Sequence, residues 1–242
     1  MKQVRIYQPG PYETGQTIEL SSAATQHVAV VLRMQKGDKL ILFCGDNREF
    51  SATICEIHKK KVWVHIDDVQ SANRESPLSI HLAQAISKGE RMEFVIQKAV
   101  ELGVVSIVPI ITERCVVRLN DERLCKKQVQ WQSIAISAVE QSERNVLPIV
   151  HQPISLSHYV QTCSCRMRLI LDPQSQKTWR DYSKPTDEMA LLIGPEGGFS
   201  PEEVSLALTH SFHSLRLGPR ILRTETAAIA AISVLQAIQG DF

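Results

Sequence analysis

The sequence predicts a two-part chain: a small β-barrel at the amino end, then an α/β domain with a mostly parallel sheet. Three observations carry this. The first 70 residues hold short apolar or β-branched runs separated by turn signals. From residue 78 onward, apolar strand candidates alternate with helical stretches, the pattern of parallel strands joined by crossovers. Between the two lies QSANRESP at 70–77, polar and closed by a proline, which reads as a linker. The expected division is 1–72 and 73–242.

In the first part, Val4–Tyr7, Lys39–Phe43, 50–57 and 61–66 read as strands. Pro9-Gly10-Pro11, Lys36-Gly37-Asp38 and Gly45-Asp46-Asn47 separate them, and one helical stretch, 22–34, interrupts them. In the second part, strands are expected at 78–83, 105–110, Met167–Leu171 and 189–193. A helix is expected over 90–102. Met92, Val95, Ile96, Ala99 and Leu102 recur at helical spacing, Glu93, Gln97, Lys98 and Glu101 face away, and Gly103 supplies the stop. After LLIGPEGGFS (191–200) another helix should begin, with Ser200 as N-cap, Pro201 at the first position and Glu203 closing a capping box. A last strand, 214–217, enters LRLGPRILRTETA (215–227). The helix that follows, 224–238 with Thr224 as its expected N-cap, is apolar nearly all round and must be covered on most sides, by the fold or by a second subunit.

Composition narrows the function. The 27 Lys and Arg against 26 Asp and Glu argue against a broadly basic nucleic-acid binder but leave room for a local basic patch. No stretch reaches the apolar length of a membrane span, and MKQVRIYQPG lacks the apolar centre of a signal peptide. The six cysteines form no C-x-x-C pair and have no neighbouring H-x-x-x-H. That spacing points away from a zinc site or a disulfide framework and toward reduced thiols in the cytoplasm.

The glycine cluster in LLIGPEGGFS asks what its backbone approaches. A P-loop needs a lysine after its glycines, and here Gly198 is followed by Phe199 and Ser200. A dinucleotide fingerprint belongs to the first βα unit, whereas this loop comes late, and Glu196 would repel an anion. A tight strand-to-helix turn also accounts for the glycines. The second loop changes the balance: two strands ending in Gly-Pro would set both loops at the carboxyl edge of the sheet, where α/β folds bind ligands. Backbone groups, Leu215, Leu217, Ile221 and Leu222, and carboxylates without a phosphate clamp suit an adenine ring and a cationic group. S-adenosylmethionine has both.

Several segments together resemble one family. They are His27 with Val31-Leu32-Arg33, KGERMEFVIQKAVELGV at 88–104, EQSERNVLP at 140–148, and the two glycine loops. In this order they resemble the RsmE-type 16S rRNA uridine N3-methyltransferases of the SPOUT superfamily, over nearly the whole chain. One departure is Glu143, where a small residue is more usual. The resemblance implies a trefoil-knotted SPOUT domain, a PUA-like RNA-binding barrel and a homodimer. It implies S-adenosylmethionine as cofactor, no metal, and 16S rRNA of the small ribosomal subunit as partner.

Carried onto this sequence, the cofactor residues are Leu171, Gly194, Pro195, Glu196, Gly197, Gly198, Leu215, Leu217, Gly218, Ile221, Leu222, Thr226 and Ala227. Arg223 is expected to stabilise an anionic uracil, since an arginine fork suits a planar anion. Glu225 is expected either to accept the N3 proton or orient Arg223, or to serve only as a first-turn partner of the helix dipole. Arg33, Lys88, Arg91, Arg144 and Arg220 are the expected RNA contacts, with RNA entering between barrel and knot. Ribose methylation, modification of another base, and a non-catalytic RNA-binding role remain open alternatives at this point.

Overall fold

The computed structural model describes residues 3–59, 61–115, 121–182 and 186–242. Its contacts divide the chain into two compact units, Met1–Glu75 with Val139–Leu147, and Ser76–Ala138 with Pro148–Phe242. The first unit thus runs past residue 72 and recruits a segment from far along the chain.

The first unit contains β1 (Val4–Tyr7), β2 (Thr17–Glu19), α1 (Ser22–Thr25), β3 (Lys39–Phe43), β4 (Arg48–His58) and β5 (Lys61–Ser71). They form a five-stranded sheet in the order β1-β3-β4-β5-β2. Alternate residues turn inward: Phe50, Ala52 and Ile54 of β4, and Val62, Val64 and Ile66 of β5, are all buried with Ile6, Leu40 and Leu42. The helix expected over 22–34 is instead one capped turn followed by a π-helical turn, Gln26–Val31. The Leu32 N–H donates to the His27 carbonyl five residues back, at 2.9 Å. β-Branched Val28, Val30 and Val31 crowd an ordinary α turn, and in the wider turn Val28 is fully buried while Val30 and Val31 stay exposed.

The recruited segment is held by charge. Asn145, fully buried, donates from Nδ2 to the Ala72 carbonyl at 2.6 Å and to Glu49 at 3.1 Å, and its Oδ1 accepts from Arg5. Arg5 also donates to Glu49 at 2.7 Å, and Arg74 reaches the same carboxylate. Burial alone would raise the Glu49 carboxyl, but the donors Arg74, Arg5 and Asn145 outweigh it and hold it below the usual range. Arg144 is buried against Glu75, to which its Nε donates at 3.0 Å. Expected as an RNA contact, Arg144 is therefore spent on holding this unit together. Glu143, just past the end of its helix, has φ 64°, the left-handed region that favours glycine.

The second unit contains β6 (Ser79–Ala85), α2 (Glu90–Glu101), β7 (Ser106–Ile111), α3 (Asp121–Ser142, whose end enters the first unit), β8 (Ile149–Val150), β9 (Ile154–Ser155), α4 (Leu156–Thr162), β10 (Met167–Leu171), β11 (Glu188–Ile193), α5 (Pro201–Thr209), β12 (His213–Leu215) and α6 (Thr224–Gln239). Every pairing is parallel, in the order β12-β10-β11-β6-β7-β8, with β9 also on β7. Residues 189–193 of β11 are all buried, as a central strand covered on both faces requires. Helix α6 packs on α2, and Gln236, fully buried, donates to the Leu102 carbonyl at 2.8 Å, satisfying the end of α2. The α/β class and the parallel sheet are as expected from the sequence.

Removing the Asn145 side chain should leave Glu49 and Arg5 short of partners. Asn145→Ala is expected to lower stability by about 2 kcal/mol, read as an earlier midpoint in urea denaturation.

Candidate active site

Because the strands are parallel, β12, β10 and β11 end at one edge, with β10 between the two strands that carry the glycine loops. A cavity of ≈ 890 Å³ opens there. Its walls are 171–174 after β10, 193–199 after β11 and 215–224 after β12, joined by Arg91, Arg114, Val204 and Ala227.

Most of the expected cofactor residues meet in this one place. Leu171, Gly194, Pro195, Glu196, Gly197, Gly198, Leu215, Leu217, Gly218, Ile221, Leu222 and Ala227 all line it. Thr226 does not line it: one helical step of about 100° from Ala227 leaves it exposed to solvent. Arg91, Arg220 and Arg223 also line the cavity. Lys88 does not, although its backbone N–H donates to Glu196 at 3.3 Å. Arg33 is exposed in the first unit. Glu225 lies in the first turn of α6, beside the lining rather than in it, and its buried Oε2 has no hydrogen-bond partner among the described residues.

The loop after β11 is shaped by its own residues. Gly198 has φ 68°, a conformation open to glycine and strained for other side chains. A Cβ on Gly194 would come within 3.1 Å of the Phe199 ring. The capping box on α5 forms as expected, with Ser200 and Glu203 exchanging hydrogen bonds. Glu196 lines the cavity and also anchors its own loop: it accepts from the Lys88 N–H at 3.3 Å and from Arg91 at 3.0 Å. Burial works to raise its carboxyl, but backbone donors and the Arg91 guanidinium outweigh this and hold it below the usual range. Arg114, which the sequence reading passed over, donates to the Gly197 carbonyl at 3.1 Å.

The two loops are tied together at Thr224. Its hydroxyl donates to the Gly194 carbonyl at 2.6 Å and accepts from Gln84 at 3.0 Å. Thr224 is thus the first helical residue, not the N-cap; Arg223 takes the cap position with no side-chain capping bond, and it lines the cavity. Arg114, Asp172, Pro173, Gln174, Phe199 and Arg216 also line the cavity without having been singled out. Asp172-Pro173 directly follows a strand candidate, a signal that was available. Arg114 was not findable, because only the strand order brings the end of β7 toward β11. The Arg216 Nε is buried and has no partner among the described residues.

Glu196→Gln should loosen the loop and weaken binding of S-adenosylhomocysteine severalfold at neutral pH in calorimetry. Since the folded carboxyl titrates below its ordinary 4.5, this anchoring is fully present above that pH. It is lost only as pH falls through the lowered value; affinity falling between pH 8 and 6 would contradict it.

Two domain families match the chain: an RNA methyltransferase domain over residues 74–236 and an RNA methyltransferase PUA domain over residues 20–67. The ribosomal RNA small subunit methyltransferase E of Buchnera aphidicola is 40% identical over 240 residues, covering 98% of this chain and 97% of its own. A Legionella pneumophila chain described as a methyltransferase, solved in complex with bound SAM, aligns over 100% of both chains with TM-score 0.97 and 56% identity. The ribosomal RNA small subunit methyltransferase E of Neisseria gonorrhoeae, solved bound to S-adenosyl methionine, aligns over 100% of both chains with TM-score 0.92 and 37% identity. With its glycine loops, its parallel sheet and relatives matched along nearly their full length, this chain belongs to the ribosomal RNA small subunit methyltransferase E family.

Proposed function

We propose that the chain is an S-adenosylmethionine-dependent methyltransferase that modifies N3 of a uridine in the 16S rRNA of the small ribosomal subunit. The observation that carries the reading is the cavity at the carboxyl edge, built from the same two loops by which the sequence resembles the family. Its residues fit the cofactor. Leu171, Leu215, Leu217, Ile221 and Leu222 offer apolar walls, the glycine loops expose backbone groups, and no lysine is in the lining among the described residues. The Arg216 Nε, without a partner among the described residues, is a donor suited to a carboxylate or to RNA.

When bound, S-adenosylmethionine supplies the methyl group from its sulfonium. The protein's part is to orient and to stabilise charge. Holding the reacting atoms in line can be worth about 7–11 kcal/mol. Uridine N3 carries a proton and pairs through that edge, so the base must be unpaired or flipped to react. Arg223 is assigned to the uracil oxygens as the N3 proton leaves. Glu225, with a buried oxygen that has no hydrogen-bond partner among the described residues, is assigned to receive that proton. Arg33, Lys88, Arg91 and Arg220 are assigned to RNA. The trefoil knot, a cytoplasmic location and a homodimer are part of the same reading. Support for the dimer is that Ile229, Ala230 and Val234 of α6 are only partly covered and Ile238 is 37% exposed.

Arg223→Ala should lower kcat by about 100-fold or more while S-adenosylhomocysteine binding stays within about threefold. Glu225→Gln should keep cofactor binding and lose at least about tenfold in kcat; near-normal turnover would leave Glu225 as a helix-dipole partner only. Digestion of treated 16S rRNA to nucleosides should yield 3-methyluridine, and 2′-O-methylated nucleosides in its place would overturn the assignment.

A further inference from the structure

The other edge of the parallel sheet carries a second cluster of chemistry-bearing side chains. His81 lies near the start of β6, Glu188 opens β11, and Cys165 stands two residues before β10. Their donor atoms lie within 4.8 Å of one another. His81 Nε2 is 3.5 Å from a Glu188 oxygen, and His81 Nδ1 is 2.7 Å from Ser106 Oγ. The Ser106 contact fixes the ring and leaves Nε2 to face the cluster, the arrangement by which proteins orient a metal-binding imidazole. Cys165 is buried, while His81 and Glu188 are partly open, which gives an ion a path in.

We propose that His81, Cys165 and Glu188 form a binding site for a zinc-class divalent cation, separate from the cofactor cavity. A thiolate, an imidazole nitrogen and a carboxylate are the donor types zinc takes, in preference to the all-oxygen sets of magnesium and calcium. Tetrahedral bonds of about 2.0–2.3 Å need donors roughly 3.3–3.8 Å apart. The His81–Glu188 separation already fits, and Cys165 closes the set by a side-chain adjustment. The distance from the cavity is set by strand length. Glu188 and Ile193 are the two ends of β11, five residues apart, or roughly 16 Å. The ion would tie β6, β11 and the entry to β10 at their amino ends, where the carboxyl edge needs three strands held in register.

Binding forms a sulfur–metal bond and breaks the Cys165 S–H bond, releasing that proton to solvent. The cation has to displace it. Arg168, the nearby cation, is turned to the backbone carbonyls of Cys165 and His210 at 2.9 and 3.0 Å.

The test is zinc and cobalt titration of the full-length, chelator-treated protein. One equivalent of zinc should raise the melting temperature, reversibly with chelator, and cobalt should give a thiolate charge-transfer band. Cys165→Ala should abolish the band and weaken zinc binding at least tenfold, and Glu188→Gln, at a more exposed position, should weaken it as well. Cys125→Ala, on α3, should change neither. S-adenosylhomocysteine binding should persist in all three variants, which confirms that they are folded. Absence of a stoichiometric zinc effect, or its survival in Cys165→Ala, overturns the proposal.

Discussion

The site depends on one short chain of hydrogen bonds, from Gln84 through the Thr224 hydroxyl to the Gly194 carbonyl. It joins the end of β6, the start of α6 and the loop after β11. Gln84 is fully buried at the sheet's carboxyl edge, and its other amide hydrogen goes to the Ala85 carbonyl at 3.0 Å. Both amide hydrogens of Gln84 are therefore used, while its buried Oε1 has no hydrogen-bond partner among the described residues, and the bond to Thr224 restricts where α6 can begin. Once α6 begins at Thr224, Arg223 is left at the cap position and Ala227 falls in the cavity wall. The final helix is therefore positioned by polar contacts at its first residue as well as by the apolar stripe that follows.

Charge is used differently at the two places where the chain must hold irregular backbone. In the first unit, Arg5, Arg74 and Asn145 converge on Glu49, and Arg144 is matched to Glu75. These contacts fix a segment distant in sequence. At the cavity, Arg91 and Arg114 brace the glycine loop, one through Glu196 and one through backbone carbonyls. Arg220 and Arg223 line the cavity without an ion pair among the described residues. The near-zero net charge hides this division between structural and exposed arginines.

Much of the site was legible because its signals are local. Gly-Pro after an apolar run, a capping box at Ser200 and Glu203, and the run of charges around 220–225 are each readable within ten residues. Thr226 and the N-cap were misplaced because a helix start depends on which hydroxyl finds a carbonyl, and that carbonyl belongs to residue 194. The π-helical turn at Gln26–Val31 was read as ordinary helix because apolar spacing alone does not reveal a crowded turn. Arg144 looked like an RNA contact because its partner, Glu75, is 69 residues away.

By itself the sequence determined the α/β class, the strands that end in glycine loops and the residue types those loops offer, since periodicity, capping and turn chemistry act over a few residues. Only the tertiary structure decided the strand order that puts β10 between the two loops, the burial of Arg144 and the placing of Arg114. It also decided that His81, Cys165 and Glu188 meet at one edge. Those outcomes depend on contacts between residues far apart in the chain, and a parallel sheet is built almost wholly from such contacts.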